Sequence, residues 1–432
     1  MLKEFRFSNF GSFRDEAVLS MEAVGLKELK DVPRKDGSDT LLPLAAIYGK
    51  NGGGKTNVLC AFDYAVDFIL NAQQTQHENA PIPVVPFMLD DVSKQRPTSF
   101  HFEYKMDGVR YWYGFSATRQ NICNEYLYHA PKDKKALVFS REYQDFKFRS
   151  GKRERKLIQK LVAENQLFLS IASGMNDADC KRAMTWFRQY LFKGNEYDDI
   201  EEQIFRNMDS PAIIKAMSDY ANAADIGIDH VEVERDEEWE ANASIGNFSP
   251  DTPEDVRSAL EKALKTASAH PGLKAVPMKL TVISMHQGIG ADGFSKLFPL
   301  AFDLESDGTK NLMALSPAIF RALDCGGVLF VDELEKGLHP LLVKMILSRF
   351  QSPKTNPKNA QLIFTTHSAE LLDMSILRKD QIYLADKDRE TSVSSLYSVS
   401  DFSTPTRENV RKAYLAGKYG ASPDIRIEEV GP

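Results

Sequence analysis

The sequence has few cysteines, no long apolar run and no excess of positive charge. Its four cysteines, Cys60, Cys123, Cys180 and Cys325, are far apart and show no metal-binding or redox spacing, so we interpret them as reduced packing residues. No apolar run approaches the roughly 20 residues that cross a bilayer, and the charged, alternating start predicts no signal peptide. The net charge of −7 argues against bulk attraction to nucleic acid. We therefore expect a soluble cytoplasmic protein.

The hydrophobic patterns of the chain predict an α/β fold. Residues 98–148 alternate around Asp107-Gly108, which predicts a hairpin and an antiparallel sheet. Residues 151–275 lean helical and are interpreted as an insertion. Strands separated by helices predict a mostly parallel core sheet; strand patterns lie at 41–48, 278–285, 328–331, 361–366 and 381–385.

A glycine-rich loop carries the strongest functional signal. Residues 49–56 read GKNGGGKT and fit G-x-x-x-x-G-K-[ST], between a predicted strand and a predicted helix. Backbone amides in such a loop surround phosphates at a helix N-terminus. Lys55 is expected to reach the β and γ phosphates of ATP, and Thr56 to bind Mg²⁺. The residues predicted to hold the nucleotide are Gly49, Lys50, Asn51, Gly52, Gly53, Gly54, Lys55 and Thr56.

Two further apolar strands end in residues suited to phosphate chemistry. Val328–Val331 is followed by Asp332, a predicted Mg²⁺ ligand, and by Glu333, a predicted catalytic residue that polarises the attacking water. The strand at 361–366 is followed by His367, a predicted catalytic residue that contacts the γ-phosphate and the water. The combination predicts an ATPase more strongly than any one motif does.

These motifs resemble those of the ABC ATPase head, in the branch of SMC, RecF and OLD ATPases. Residues 49–56 resemble its Walker A motif, 328–333 its Walker B motif, 335–340 its D-loop and His367 its switch histidine. Ser306 and Gly308, before a predicted helix, resemble its signature motif and are expected to hold the γ-phosphate of the other subunit's nucleotide. The sequence there departs from the transporter form Leu-Ser-Gly-Gly-Gln, and no Q-loop residue is assigned.

The resemblance implies a division of the chain around the ABC head. It places the first part of the head, with the Walker A motif and an antiparallel β-subdomain, at 1–150. The helical insertion follows at 151–275. The second part of the head, with signature, Walker B and switch histidine, occupies 276–400, and a C-terminal helix and tail occupy 401–432.

Other segments resemble AAA-type ABC ATPases of phage-defence operons, such as RloA, the AbiLi proteins and the PARIS ATPase subunit AriA. These segments are residues 9–14, Pro86-Phe87 and residues 409–421. The resemblance implies a homodimer, or a higher oligomer built from it, formed around ATP and Mg²⁺. It also implies that the protein responds to a phage trigger protein and controls a separate effector, typically a Toprim-type nuclease. Asp386-Lys387-Asp388 is similar to a Toprim metal motif, but too little chain follows for that domain. We interpret it as a charged turn.

Two other functions share the head motifs. A RecF-like or SMC-like ATPase of DNA repair or chromosome maintenance is the main alternative; prolines at 211, 250, 253 and 271 argue against the long coiled coil of an SMC protein. A non-enzymatic scaffold that binds ATP only structurally is the second alternative. Such a protein requires no water-activating carboxylate, so the presence of Glu333 and His367 argues against it.

A basic stretch at the start of the predicted insertion leaves contact with nucleic acid as a further hypothesis. Only Glu154 opposes its cations, although a solvated helix face is the more frequent meaning of such a stretch. The cations are Lys147, Arg149, Lys152, Arg153, Arg155, Lys156 and Lys160.

Overall fold

The computed structural model describes residues 1–75, 80–131, 134–194, 210–224, 227–235, 280–403 and 408–422. The chain divides into two compact units, one made of residues 1–195 and 321–432 and the other of residues 196–320. The prolines at 250, 253 and 271, which argued against a coiled coil, lie outside the described residues. Pro211 is the first residue of a helix, a position where its missing N–H costs no hydrogen bond.

The first unit contains a mostly parallel sheet in the order β11-β15-β16-β5-β17-β18. All neighbours pair in parallel except β17 and β18. Every residue of β5, β15 and β16 is buried, as expected for strands covered on both faces. The strands are β5 Leu44–Tyr48, β11 Leu191–Lys193, β15 Val328–Val331, β16 Gln361–Thr365, β17 Ile382–Lys387 and β18 Ser394–Ser398.

The same unit contains a seven-stranded antiparallel sheet in the order β10-β9-β8-β7-β6-β1-β2. The predicted hairpin is confirmed, because Met106 pairs with Val109 and the two turn residues, Asp107 and Gly108, both have positive φ, as a two-residue type I′ turn requires. The strands are β1 Leu2–Ser8, β2 Ala17–Ser20, β6 Thr98–Met106, β7 Val109–Ala117, β8 Ile122–Ala130, β9 Ala136–Glu142 and β10 Asp145–Phe148, with a separate ribbon of β3 Arg34–Asp36 and β4 Asp39–Leu41.

Helices complete the first unit and connect its two sheets. Phe62 of the helix after the glycine-rich loop stacks on Phe330 of β15, with ring centroids 3.8 Å apart, and meets Phe102 of β6 edge-on at 5.4 Å. Aromatic contacts of this kind fix the helix between the two sheets. The described helices are α1 Lys55–Thr75, α2 Lys152–Gln159, α3 Phe168–Gly174, α4 Ala178–Gln189, α5 Pro211–Ala223, α6 Asp307–Cys325, α7 Pro340–Gln351 and α8 Val410–Leu415. Among them, none is both long enough and apolar enough to cross a bilayer.

The start of the insertion differs from the expected boundary at residue 151. Helices α2, α3 and α4 belong to the first unit, and Phe168, Trp186 and Phe187 lie in its hydrophobic core. The division between the two compact units falls after Asn195 instead. The reason is that α3 and α4 carry large apolar side chains that pack on the antiparallel sheet, as Trp186 does on Tyr104 and Phe168 on Phe139; helical periodicity alone does not reveal such partners.

The second unit is not purely helical. It contains an antiparallel sheet in the order β12-β13-β14, formed by β12 Ile228–Arg235, β13 Leu280–Ile289 and β14 Ser295–Ala301. The strand expected at 278–285 therefore belongs to this sheet and not to the parallel core sheet. Its small core includes Met217 of α5, Val231 of β12, Val282 of β13 and Met313 of α6.

Candidate functional site

The glycine-rich loop runs from the end of β5 to the start of α1, at the carboxyl edge of the parallel sheet. A Cβ at Gly53 would lie 2.6 Å from the carbonyl oxygen of Ala385 in β17, and a Cβ at Gly49 would meet the same oxygen still more closely. Glycine is therefore required at both positions by the close approach of β17. The Gly53 amide donates to the Lys50 carbonyl at 3.0 Å, which closes the turn.

Lys55 points back into this loop. Its Nζ donates to the carbonyl oxygens of Gly49 at 2.9 Å and Lys50 at 3.1 Å, and the residue is only 5% exposed. Burial lowers the pKa of this ammonium group, and the negative charges of Asp332 and Glu333 oppose that shift in part. The loop, its lysine and the carboxylates after β15 therefore share one small region. Thr56 follows in the first turn of α1 and is exposed.

Thr365, the last residue of β16, organises the two carboxylate residues after β15. Its hydroxyl donates to Oδ1 of Asp332 and accepts the backbone N–H of Glu333 at 2.8 Å. Glu333 has a φ of 50°, a conformation that is uncommon for a residue with a side chain and that recurs at functional sites. No role had been predicted for Thr365; a hydroxyl residue at the end of the strand beside the acidic pair was the available signal.

His367 lies beside Glu333, as the order of the motifs predicts. Its Nε2 is 3.5 Å from Oε1 of Glu333, and both side chains are partly exposed. The backbone N–H of His367 donates to Oε1 of Glu335 at 2.5 Å. Glu335, in the segment that resembles a D-loop, thereby connects the loop after β15 to the loop after β16.

A cleft of about 760 Å³ opens along the outer side of the glycine-rich loop. Lys50 crosses its base, with Nζ 2.8 Å from Oδ1 of Asp386 and 2.9 Å from the carbonyl oxygen of Lys387. Asp388 accepts the backbone N–H of Thr391 at 2.7 Å and so forms a tight turn. Neither aspartate belongs to a potential metal cluster among the residues whose placement is described. The lining residues are Gly49, Lys50, Asn51, Gly52, His367, Ala369, Lys387, Asp388, Arg389, Ser392, Tyr414 and Leu415.

Ser306 and Gly308 lie in the second unit, at the start of α6. The Ser306 hydroxyl accepts the backbone N–H of Thr309 at 3.2 Å and so caps the helix. Gly308 lies in the first turn of the helix. Their expected contact with the nucleotide of another subunit stays a prediction.

The donor types at the carboxyl edge fit a nucleoside triphosphate and a divalent cation. A buried ammonium group and an amide-rich turn suit phosphates, while the Thr56 hydroxyl and the Asp332 carboxylate are oxygen ligands of the kind Mg²⁺ prefers. A glycine-rich loop between β5 and α1, an acidic pair after β15 and a histidine after β16 are the features of an AAA/ABC-type ATPase domain.

A protein-family model confirms that class. The model described as "AAA domain, putative AbiEii toxin, Type IV TA system" matches residues 44–373, about three quarters of the chain, and the chain belongs to that family. No curated protein sequence matches the chain.

The chain also shows distant likeness to solved structures. One is the Smc head domain with an extended coiled coil bound to the C-terminal domain of ScpA, from Pyrococcus furiosus, at 13% identity and a TM-score of 0.34 over 92% of this chain and 96% of that one. Another is CbiO1 from Clostridium perfringens, part of the ABC transporter complex CbiONQ, at 12% identity and a TM-score of 0.26 over 90% and 94%. A third is the dimeric ATP-binding cassette MJ0796 in a post-hydrolysis state with ADP and phosphate, at 10% identity and a TM-score of 0.25 over 91% and 98%.

Proposed function

We propose that this chain is an ATP-hydrolysing switch protein of an anti-phage defence system and that it controls a separate effector. The observation that carries the ATPase proposal is the meeting of three groups at the carboxyl ends of neighbouring strands. These are the glycine-rich loop after β5, the Asp332–Glu333 pair after β15 and His367 after β16, with 3.5 Å between His367 Nε2 and Glu333 Oε1.

In this proposal the loop and Lys55 bind the triphosphate. The loop amides surround the phosphates, and Lys55 exchanges its bonds with the Gly49 and Lys50 carbonyls for the β and γ phosphates. Thr56 and Asp332 would hold Mg²⁺, which neutralises developing phosphate charge when it is bound. Thr365 acts through Asp332, because its hydroxyl fixes that carboxylate.

Glu333 is the proposed general base. A carboxylate with an exposed face can accept a proton from water, and the backbone of Glu333 is held by the bond between its N–H and Thr365 Oγ1. His367 is close enough to orient the same water or to donate to the γ-phosphate. Glu335 holds the backbone of His367 and so positions the histidine relative to Glu333.

The switch is proposed to be a homodimer that closes on two ATP molecules. Ser306 and Gly308, at the N-terminus of α6, are the groups proposed to contact the nucleotide bound by Lys55 of the other subunit. ATP-dependent closure would shift the protein between two arrangements, which is the property that a regulator of an effector requires.

The defence role is supported by the family to which the chain belongs. The description of that family names a putative toxin of a type IV toxin–antitoxin system, and the segments at 9–14 and 409–421 resemble phage-defence ATPases. The effector is proposed to be a separate protein, a Toprim-type nuclease, as the resemblance implies. Asp386 pairs with Lys50 and Asp388 closes a turn, which supports the interpretation of residues 386–388 as a charged turn.

The ATPase proposal is tested by hydrolysis assays and light scattering on wild type, Lys55→Ala and Glu333→Gln. We expect Glu333→Gln to lower turnover at least about 100-fold, the usual contribution of a general base, and to accumulate a larger species when ATP is added. Lys55→Ala should neither hydrolyse ATP nor form the larger species, since it should not bind ATP productively. A Glu333→Gln protein with normal turnover would refute the assignment.

The defence proposal is tested separately by phage infection of cells that carry the gene with its neighbouring genes. We expect fewer plaques with wild type and normal plaque numbers with Lys55→Ala. Lys27→Ala, at an exposed position remote in sequence from the loop, is the matched control and should protect like wild type. Equal plaque numbers with and without the wild-type gene would contradict a defence role while leaving the ATPase assays intact.

A further inference from the structure

Strand β10, helix α2 and the residues directly after each carry six exposed cations, which we call the α2 patch. Within residues 147–160 only one carboxylate, Glu154, accompanies them. In the described part of the chain, none of the six forms a salt bridge with a carboxylate. The α2 patch consists of Lys147, Arg149, Lys152, Arg153, Lys156 and Lys160.

Arg155, which the sequence groups with these cations, has a different role. It is buried, and its guanidinium donates from Nε to Asp177 Oδ2 at 2.7 Å and from a terminal nitrogen to Asp179 Oδ2 at 2.7 Å. It also donates to the carbonyl oxygen of Val138 in β9 at 3.1 Å. Arg155 therefore anchors α2 to the body of the unit. Its charge is neutralised by Asp177 and Asp179 and does not contribute to binding an anionic ligand.

The spacing of the remaining cations places like charges side by side. Lys152, Lys156 and Lys160 are four residues apart, so they lie on one face with about 6 Å of helical rise between neighbours. Like charges at this spacing destabilise a helix by about 0.2–0.5 kcal/mol per pair. The fold gains nothing from such a row, while an anionic partner would be attracted by it.

We propose that the α2 patch binds the phosphate backbone of double-stranded nucleic acid. The aromatic rings that alternate with these cations, Phe146 and Phe148, are partly buried and pack on Phe168 with ring centroids 5.3 and 5.4 Å apart. The surface therefore offers charges to phosphates, while neither ring lies open for unpaired bases to stack on. Long flexible cations repeated along one face suit the regular negative charge of a duplex. The chain as a whole carries a net charge of −7, so attraction to a polyanion must come from a local surface such as this one.

The test is fluorescence anisotropy of a labelled random-sequence DNA duplex, titrated with the full chain between about 50 and 200 mM salt. The patch variant is Lys152→Glu/Arg153→Glu/Lys156→Glu, which leaves Arg155 in place. The matched control is Lys27→Glu/Lys30→Glu/Lys35→Glu, which makes the same charge change at three exposed lysines of the same unit. Circular dichroism and the urea midpoint of each variant report whether it is folded.

Wild type is expected to bind the duplex with an affinity that falls steeply with salt. At about 0.9 per phosphate contact, six contacts give a slope of log affinity against log salt of about −5.4, and the patch variant should be shallower by about 2.7. We expect the patch variant to bind at least about tenfold more weakly at low salt, and the control to bind like wild type.

Four results would overturn the proposal. They are failure of wild type to bind the duplex, unchanged binding by a folded patch variant, equal losses in the patch variant and the control, and a preference for single-stranded over duplex DNA. Leu157 of α2 and Leu161 just after it are also exposed, and apolar side chains of this kind could contact a protein. An acidic protein whose binding is lost in the patch variant, while duplex binding persists, would assign the surface to that protein instead. The proposal does not depend on the ATPase or defence roles.

Discussion

The two sheets of the first unit are built on opposite burial patterns. All five residues of β16 are buried, whereas in β6 buried residues alternate with partly exposed ones along its whole length. The parallel sheet is covered on both faces, and the antiparallel sheet on one. A sheet covered on both faces leaves only its edges and strand ends accessible.

That difference in burial explains where the residues of the candidate site lie. The loops after β5, β15 and β16 leave the parallel sheet at its carboxyl edge, and they bring Lys55, Asp332, Glu333 and His367 to one region. In open parallel sheets, ligands bind at this edge. The antiparallel sheet instead contributes packing, since its inner side chains hold α1 against β15 through Phe62 and Phe102.

The largest change in the free energy of unfolding is expected from alanine substitutions, compared at consecutive positions of one strand in each sheet. In β16, Leu362→Ala and Ile363→Ala should each lower the free energy of unfolding by about 2–5 kcal/mol, because both side chains are fully buried. In β2, Leu19→Ala should cost as much, but Val18→Ala, at a partly exposed position, should cost less than about 1 kcal/mol.

Urea denaturation of the four single variants measures these differences. Each strand supplies its own control, since neighbouring residues are compared. A small effect of either β16 substitution beside a large effect of the other would show that only one face of the parallel sheet contributes to stability.

A smaller loss in the free energy of unfolding is expected from Thr365 at the end of β16, a residue that belongs to the buried strand and also contacts the candidate site. Thr365→Val preserves the shape of the side chain but removes the hydroxyl that contacts Asp332 and the Glu333 amide. We expect a loss of about 1–3 kcal/mol in the free energy of unfolding, together with reduced ATP turnover. Thr365→Ser keeps the hydroxyl and should retain most of the turnover; equal turnover by the valine and serine variants would show that this hydroxyl has no part in catalysis.

The smallest change in the free energy of unfolding is expected from the ion pair between Arg155 and Asp177, which anchors α2 to the start of α4. Burial alone would raise the pKa of Asp177, but the bonds and charge of Arg155 and the Cys180 amide together outweigh it, and the net pKa is lowered. A carboxylate with a lowered pKa stabilises the fold above its ordinary pKa of 3.8 and loses that contribution as the pH falls through its lowered value. Asp177→Asn should therefore cost about 1–2 kcal/mol near neutral pH.

The measurement is the urea midpoint of wild type and Asp177→Asn near neutral pH and at about pH 3. The difference between the two proteins should shrink at the lower pH, because in the unfolded wild-type chain the Asp177 carboxyl, with its ordinary pKa of 3.8, is then mostly protonated. Asparagine can still cap α4 through the Cys180 amide, so the comparison isolates the charge. A difference that does not change with pH would show that the pair does not stabilise through ionisation.

Sequence patterns predicted the core elements well because their signals are local. The glycine-rich loop, the runs Val328–Val331 and Gln361–Thr365 and the turn at Asp107-Gly108 are contiguous, and each was found where expected. The patterns did not reveal that 152–189 joins the first unit, or that 280–289 pairs in a separate antiparallel sheet. Strand partners and helix neighbours depend on contacts between residues far apart in the chain.

The sequence by itself determined which side chains suited to phosphate chemistry this protein has and which strand each of them follows. Motif spacing and strand patterns are properties of neighbouring residues, so the sequence alone reveals them. Only the tertiary structure decided that Thr365 links Asp332 to Glu333, that Lys50 pairs with Asp386, and that Arg155 is an anchor while the cations around it are exposed. Burial and pairing are decided by residues distant in sequence, and the same arginine can be solvated or structural according to which carboxylates the fold brings to it.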